Sequence, residues 1–151
     1  MKSFGSVNEA LDFAIGEEEA AENFYRKLSE TVSRPWMKRV LLEFALEEKG
    51  HRDRLLAIKA GTVSPSGFGK VIDLKIADYV VEVVPTKEMD YQDAIIVAMR
   101  KEKAAYKLYS DLASVTDDET IRKIFLGLAH DEANHKLRFE VEYDETVMKE
   151  N

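Results

Sequence analysis

Glu48 and His51 stand three residues apart, and so do Glu132 and His135. On a helix that spacing puts both side chains on one face about a turn apart, so a carboxylate and an imidazole can reach the same point. Such a pair is a metal-ligand spacing. One pair alone would arise by chance in an acidic helical protein. The two pairs, however, are separated by 84 positions, and a further matched pair of carboxylates, Glu18 and Glu102, has the same offset.

These six residues occupy helical stripes that otherwise hold Leu, Phe and Ala, so they are expected to point inward. An ionised carboxylate in an apolar interior costs several kcal/mol unless something compensates it, and four converging carboxylates also repel one another. A pair of divalent ions balances four carboxylates, and two neutral imidazoles complete the shell without adding charge. Two-fold equivalence then gives each metal one His and one terminal carboxylate, Glu18 or Glu102. Glu48 and Glu132, which ride beside the histidines, are the expected bridges. Oxygen-rich donors with one imidazole per metal suit iron or manganese better than copper or structural zinc.

The ordinary alternatives are a Glu paired with Arg or Lys and a satisfied core His. Six coincidences at one offset weigh against them. Tyr25 and Tyr109, seven residues beyond Glu18 and Glu102, are read as donors to a ligand carboxylate, with core packing as the competing role. Glu22 is one turn from Glu18, but Tyr106 stands at its repeat position, so it is not counted as a ligand. Glu17, Glu19, Glu47 and His130 fall off the stripes and are expected to be solvated. Met37, Met99 and Trp36 are read as packing.

Four helices must carry these groups. The first opens at a capping box, Ser6-x-x-Glu9, and runs to about Thr31 with Leu11, Ala14, Glu18, Ala21, Tyr25 and Leu28 on one face. The second opens with Ser33 as cap and Pro35 in the first turn, presents Leu41, Phe44, Glu48, His51 and Leu55, and stops near Gly61. The third opens with Asp90-x-x-Asp93 and carries Ile95, Ala98, Glu102, Ala105, Tyr109 and Leu112. The fourth opens at Asp117, in the place of Ser33, presents Phe125, Leu128, Glu132, His135 and Phe139, and runs towards Met148. The offset of 84 holds without a gap from Ser6 to Leu55, with twelve identities. The chain is therefore read as a repeated helical hairpin, 6–61 and 90–148, joined by a crossover at 62–89.

The crossover differs in composition. Ser64-Pro65-Ser66-Gly67 is turn-forming, and Val71 to Val84 has no sustained helical period, although Val80, Val81, Val83 and Val84 would suit a short strand. A helix of about 26 residues is roughly 39 Å long, a distance the connecting residues span easily. The expected fold is an all-α antiparallel four-helix bundle in one domain, 1–151.

Composition agrees and excludes other classes. With 34% charged residues, three prolines and seven glycines, the chain reads as long helices. A net charge of −7 gives no electrostatic reason to bind nucleic acid. The absence of cysteine excludes disulfides, thiolate metal sites and cysteine nucleophiles within these 151 residues. No apolar run approaches a spanning helix, so the expected location is cytoplasmic, with no membrane partner. The valine-rich crossover leads us to expect a homo-oligomer, most simply a dimer.

With Glu18…Tyr25, Glu48-x-x-His51, Glu102…Tyr109 and Glu132-x-x-His135 in place, the sequence resembles the rubrerythrin branch of the ferritin-like di-iron carboxylate proteins. The likeness covers both hairpins. It implies a ferritin-like bundle, a non-haem centre of two iron ions, and reactions in which Fe(II) is oxidised by peroxide or dioxygen. Two features depart from that pattern. Full-length rubrerythrins carry a cysteine-ligated rubredoxin domain that supplies electrons, whereas a chain without cysteine needs a separate electron-donor protein. They also place an additional Glu one turn from the ligand of the third helix, where Met99 and Ala105 flank Glu102 here. The leading expectation is a di-iron oxidoreductase acting on hydrogen peroxide or dioxygen. An iron-handling ferroxidase and a di-manganese catalase-like site stay open beside it.

Overall fold

A computed structural model describes residues 3–61, 74–81 and 90–147. Four long helices dominate them: α1 (Val7–Thr31), α2 (Pro35–Lys59), α3 (Tyr91–Val115) and α4 (Glu119–Glu142). Among the described residues no helix is long and apolar enough to cross a membrane.

The helix starts follow the chemistry of the chain, with three adjustments. Ser6 caps α1 by accepting from Glu9 N at 3.1 Å. The return arm of the box reaches Gly5 N instead of Ser6 N, at 3.0 Å. A Cβ at Gly5 would lie 2.7 Å from that Glu9 oxygen, a contact that a small shift of the flexible Glu9 side chain would relieve. At α2 the N-cap is Arg34 with Pro35 at N1, not Ser33. At α4 it is Asp118, which accepts from Ile121 N at 3.1 Å, not Asp117. Both starts are shifted by the same single residue, so the repeat register survives. Asp90 caps α3 as expected, accepting from Asp93 N at 2.8 Å. Gly61, at φ 82, ends the first hairpin in a left-handed conformation that β-carbons disfavour.

Cross-hairpin contacts set the directions. Residue 18 meets 109 and residue 25 meets 102, so α1 and α3 are antiparallel. His51 meets Asp131 and His135 meets Glu47, so α2 and α4 are antiparallel as well. Within each hairpin the helices are antiparallel, which leaves α2 and α3 parallel and obliges the connection to travel the length of the bundle. Its described part does so along α3. Phe4 N donates to Leu74 O at 3.3 Å, and Ser3 and Lys75 form an isolated antiparallel bridge. A 3₁₀ helix, Ile76–Tyr79, follows. Tyr79 donates to Asp111 at 2.8 Å, stacks on Phe4, and receives Lys107 over its ring. Val80 and Val81 pair with no strand, and Val83 and Val84 lie outside the described residues.

The apolar core is split in two. One cluster, with Phe4, Leu11, Leu55, Leu112, Ile121 and Phe125, fills the end at the start of α1. The other, with Leu28, Met37, Leu41, Ile95 and Phe139, fills the opposite end. That second end is pinned by buried Glu142, which accepts from Arg34 at 3.0 Å and from Tyr91 at 2.8 Å. Met37 is buried and Met99 packs against this cluster, but Trp36 is 51% exposed and is not a core residue. Beyond α4 a π-helical turn spans Tyr143–Val147, and Met148, towards which the helix was expected to run, lies outside the described residues.

Candidate metal centre

Between the two apolar clusters lies a layer of charge. Glu18, Glu48, Glu102, Glu132, His51 and His135 are each at most 2% exposed. The bundle brings all six together, one carboxylate from each helix and one imidazole from each of α2 and α4. Glu18, Glu48, His51 and Glu132 each offer a donor atom within 4.8 Å of the others, and so do Glu48, Glu102, Glu132 and His135. Glu48 and Glu132 belong to both groups. The two imidazole rings face each other 6.4 Å apart, their planes 11° from parallel.

The hydrogen-bond accounting shows what the layer lacks. Among the described residues seven buried side-chain atoms have no hydrogen-bond partner: Glu18 Oε2, Glu48 Oε1, Glu102 Oε2, both Glu132 oxygens, and Nδ1 of His51 and of His135. His51 Nδ1 comes within 2.9 Å of Glu132 Oε1, but the contact is not aligned as a hydrogen bond. Buried polar groups are ordinarily satisfied, because leaving one unmade costs about 1–3 kcal/mol, more for a charged group. All seven orphans belong to the six candidate ligands. A pair of divalent cations satisfies donor set and charge together, so the residues present fit a di-metal centre.

Titration behaviour agrees with that strain. Burial pushes the carboxyls of Glu48 and Glu132 well above the usual range, and the surrounding carboxylates push them further. Burial alone would lower the His51 imidazole, but Glu18, Glu48 and Asp131 together outweigh it and raise it to about 9. His135 is raised in the same way, with Glu102 and Glu47 opposing the effect of burial. Without cations the layer holds extra protons.

A second ring of side chains orients the first. Tyr25 donates to Glu102 and Tyr109 to Glu18, each across to the other hairpin. Burial and the neighbouring carboxylates raise both phenols well above 10, which keeps them donors. The outer nitrogens of the imidazoles are held too: His51 Nε2 lies 3.1 Å from Asp131 and His135 Nε2 lies 2.8 Å from Glu47. A proton on Nε2 leaves the Nδ1 lone pair facing the centre, the tautomer a metal requires. Glu47 is therefore an oriented partner and not merely solvated, although it is 49% exposed. Asp131 was not singled out by its stripe. The available signal was that 47 and 131 are acidic at the same 84-residue offset, each just before a ligand.

The other carboxylates behave differently. Glu17, Glu19 and His130 are exposed as expected. Glu22 is buried but paired with Arg26 at 2.9 Å and Arg52 at 3.1 Å, and it contributes nothing to the centre. A cavity of about 20 Å³ reaches Glu18, Glu48, Glu102 and Glu132 from between α1 and α3, lined also by Ala21, Ala105, Glu17, Lys101 and the crossover residues Tyr79 and Val81. Its volume suits one water-sized molecule. Alanine at 105 leaves this space where a larger side chain would fill it.

Comparison with known proteins places these features. The sequence pattern of the family described as Rubrerythrin matches residues 9–143. Among solved structures, a hypothetical protein from Pyrococcus furiosus is similar at 26% identity and TM-score 0.72, over 93% of this chain and 89% of that one. A protein from Thermotoga maritima described as ferritin-like diiron-carboxylate shares the fold at TM-score 0.76 and 22% identity, over 97% of this chain and 99% of that one. No curated protein matches the chain significantly.

Proposed function

The chain belongs to the rubrerythrin family, and on that premise we propose that it is a di-iron oxidoreductase reducing hydrogen peroxide or dioxygen with electrons from a separate donor protein. The observation that carries this reading is the set of seven orphaned buried atoms, all on Glu18, Glu48, His51, Glu102, Glu132 and His135. In the proposed ligand set Glu18 and Glu102 are terminal, and Glu48 and Glu132, common to both donor groups, are shared. When bound, the two ions supply one electron each and Lewis acidity towards the departing oxygens.

The protein's own part is orientation and exclusion. Tyr25 and Tyr109 fix the terminal carboxylates, Asp131 and Glu47 fix the imidazoles, and the apolar clusters above and below keep bulk water out. The cavity beside Ala21 and Ala105 admits only a very small oxidant. None of these 151 residues is a cysteine that could hold a thiolate-ligated iron donor, so on this reading the electrons are assigned to a separate donor protein. Exposed Leu42, Leu46, Leu126, Leu137 and Val141 on α2 and α4 support assembly as a homodimer.

Anaerobic loading with Fe(II), followed by rapid mixing with peroxide or with oxygen, tests the proposal. The expected result is saturation at two irons per chain and faster oxidation by peroxide. Uptake of many irons per chain, with oxygen the faster oxidant, would move the protein to iron handling. Manganese in the native protein would favour a catalase-like centre.

A further inference from the structure

α1 and α3 differ in charge at equivalent positions near the cavity, to whose lining α1 contributes Glu17 and α3 contributes Lys101. On α3, Arg100, Lys101, Lys103 and Lys107 fall within eight residues, while the repeat positions on α1 are Gly16, Glu17, Glu19 and Asn23. A chain of net charge −7 has thus concentrated four cations on one helix beside its redox centre. Arg100 and Lys103 are exposed and make no ion pair among the described residues, whereas Lys101 lies over the Phe24 ring and its charge acts on the Glu17 carboxylate. Lys107 is held by Asp111 at 2.9 Å.

These cations border an open groove of about 350 Å³, lined by Val80, Val81, Arg100, Lys103, Ala104, Lys107 and one acid, Asp78. Val81 and Ala104 also line the cavity that ends on Glu18, Glu48, Glu102 and Glu132. One residue's thickness therefore separates the groove from the ligands. We propose that this α3 face, centred on Arg100 and Lys103, docks the acidic face of a small one-electron redox protein that reduces the di-iron centre. Opposite potentials steer such an encounter and fix its register more than they add affinity. A shallow rim of outward-pointing cations suits a protein surface better than an enclosed anion.

The inference rests on the proposed function, because it assumes a separate donor. Reduction of one hydrogen peroxide to two waters consumes two electrons and two protons, so each turnover requires two encounters with a one-electron donor. The test uses the iron-loaded protein, oxidised with peroxide, and reduced flavodoxin as the acidic probe. Arg100→Glu with Lys103→Glu should lower the second-order rate of centre reduction by about tenfold or more at low ionic strength and flatten its salt dependence. The small cation hexaammineruthenium(II) should instead react faster with the same variant. A control with equal charge change elsewhere, Lys38→Glu with Lys123→Glu, should leave both rates within about twofold. Amide shifts on titrating oxidised flavodoxin should cluster on residues 100–107. Equal slowing in the control and the α3 variant would overturn the proposal, as would flavodoxin shifts on another face. Binding of inorganic pyrophosphate at the groove without any flavodoxin effect would also overturn it. Iron content and single-turnover oxidation by peroxide involve no donor, so they report separately on the underlying function.

Discussion

The two halves of the candidate metal centre present matching residues to its middle and differ in what stands behind them. His51 leans on Asp131, which is 33% exposed and has the Arg54 guanidinium 4.0 Å away. His135 leans on Glu47, 49% exposed, and its ring stacks on Phe44 at 3.9 Å. The position equivalent to Phe44 is Leu128, which is buried in the opposite apolar cluster. Duplication therefore preserved the atoms that face the centre while the supporting layer diverged. The consequence is one imidazole held mainly by a shielded charge and one held by a solvated charge and an aromatic face.

The largest effects should come from testing equivalence itself. If Glu48 and Glu132 serve both positions, Glu132→Ala should reduce iron content from two per chain towards none. His51→Ala and His135→Ala should each leave about one, measured by elemental analysis after anaerobic loading. Retention of one tightly held iron in Glu132→Ala would show that the halves do not share that carboxylate.

Proton linkage gives the next largest effect, and its sign is fixed. Glu48 and Glu132 have folded pKa values above 4.5, and His51 about 9 against 6.5. Groups raised on folding stabilise most below their unfolded values and lose that contribution as pH climbs through the folded ones. The metal-free protein should thus lose thermal stability steadily from about pH 5 to 9, whereas the loaded protein, whose cations replace those protons, should change little. Calorimetry of both forms across that range is the measurement. Parallel curves would remove the cations from the balance.

The supporting layer should discriminate the halves more gently. Removing an outer partner of a ligating His commonly costs about 10–100-fold in metal affinity. Asp131→Asn should fall near the upper end and Glu47→Gln near the lower, because the more exposed charge is already weakened by water. Competition with a chelator would measure the gap, and equal losses would erase the distinction. Smallest and most symmetric, Tyr25→Phe and Tyr109→Phe should each destabilise by about 1–2 kcal/mol in denaturant titrations, through the acceptor left unpaired.

Much of this was legible from spacing. Helical periodicity and one constant offset located four helices and six inward polar residues, because a strict repeat turns weak local signals into a joint one. What escaped depended on relations between helices. Tyr25 stands about 10.5 Å along α1 from Glu18, two turns away and out of reach. Only the antiparallel neighbour brings Glu102 opposite it. Glu47 and Asp131 lie a hundred degrees around the helix from the ligands beside them, and reading each stripe singly made Glu47 look solvated. The cap positions of α2 and α4 slipped by one residue because Ser33 and Asp117 are good capping types beside the residues that occupy the position.

Tyr25, Tyr109, Glu47 and Asp131 each reach across to a candidate ligand on the other hairpin. Neither hairpin can orient its own donors, yet two identical copies of either would supply every kind of group the centre uses. An excised sixty-residue half should therefore behave as a metal-dependent dimer.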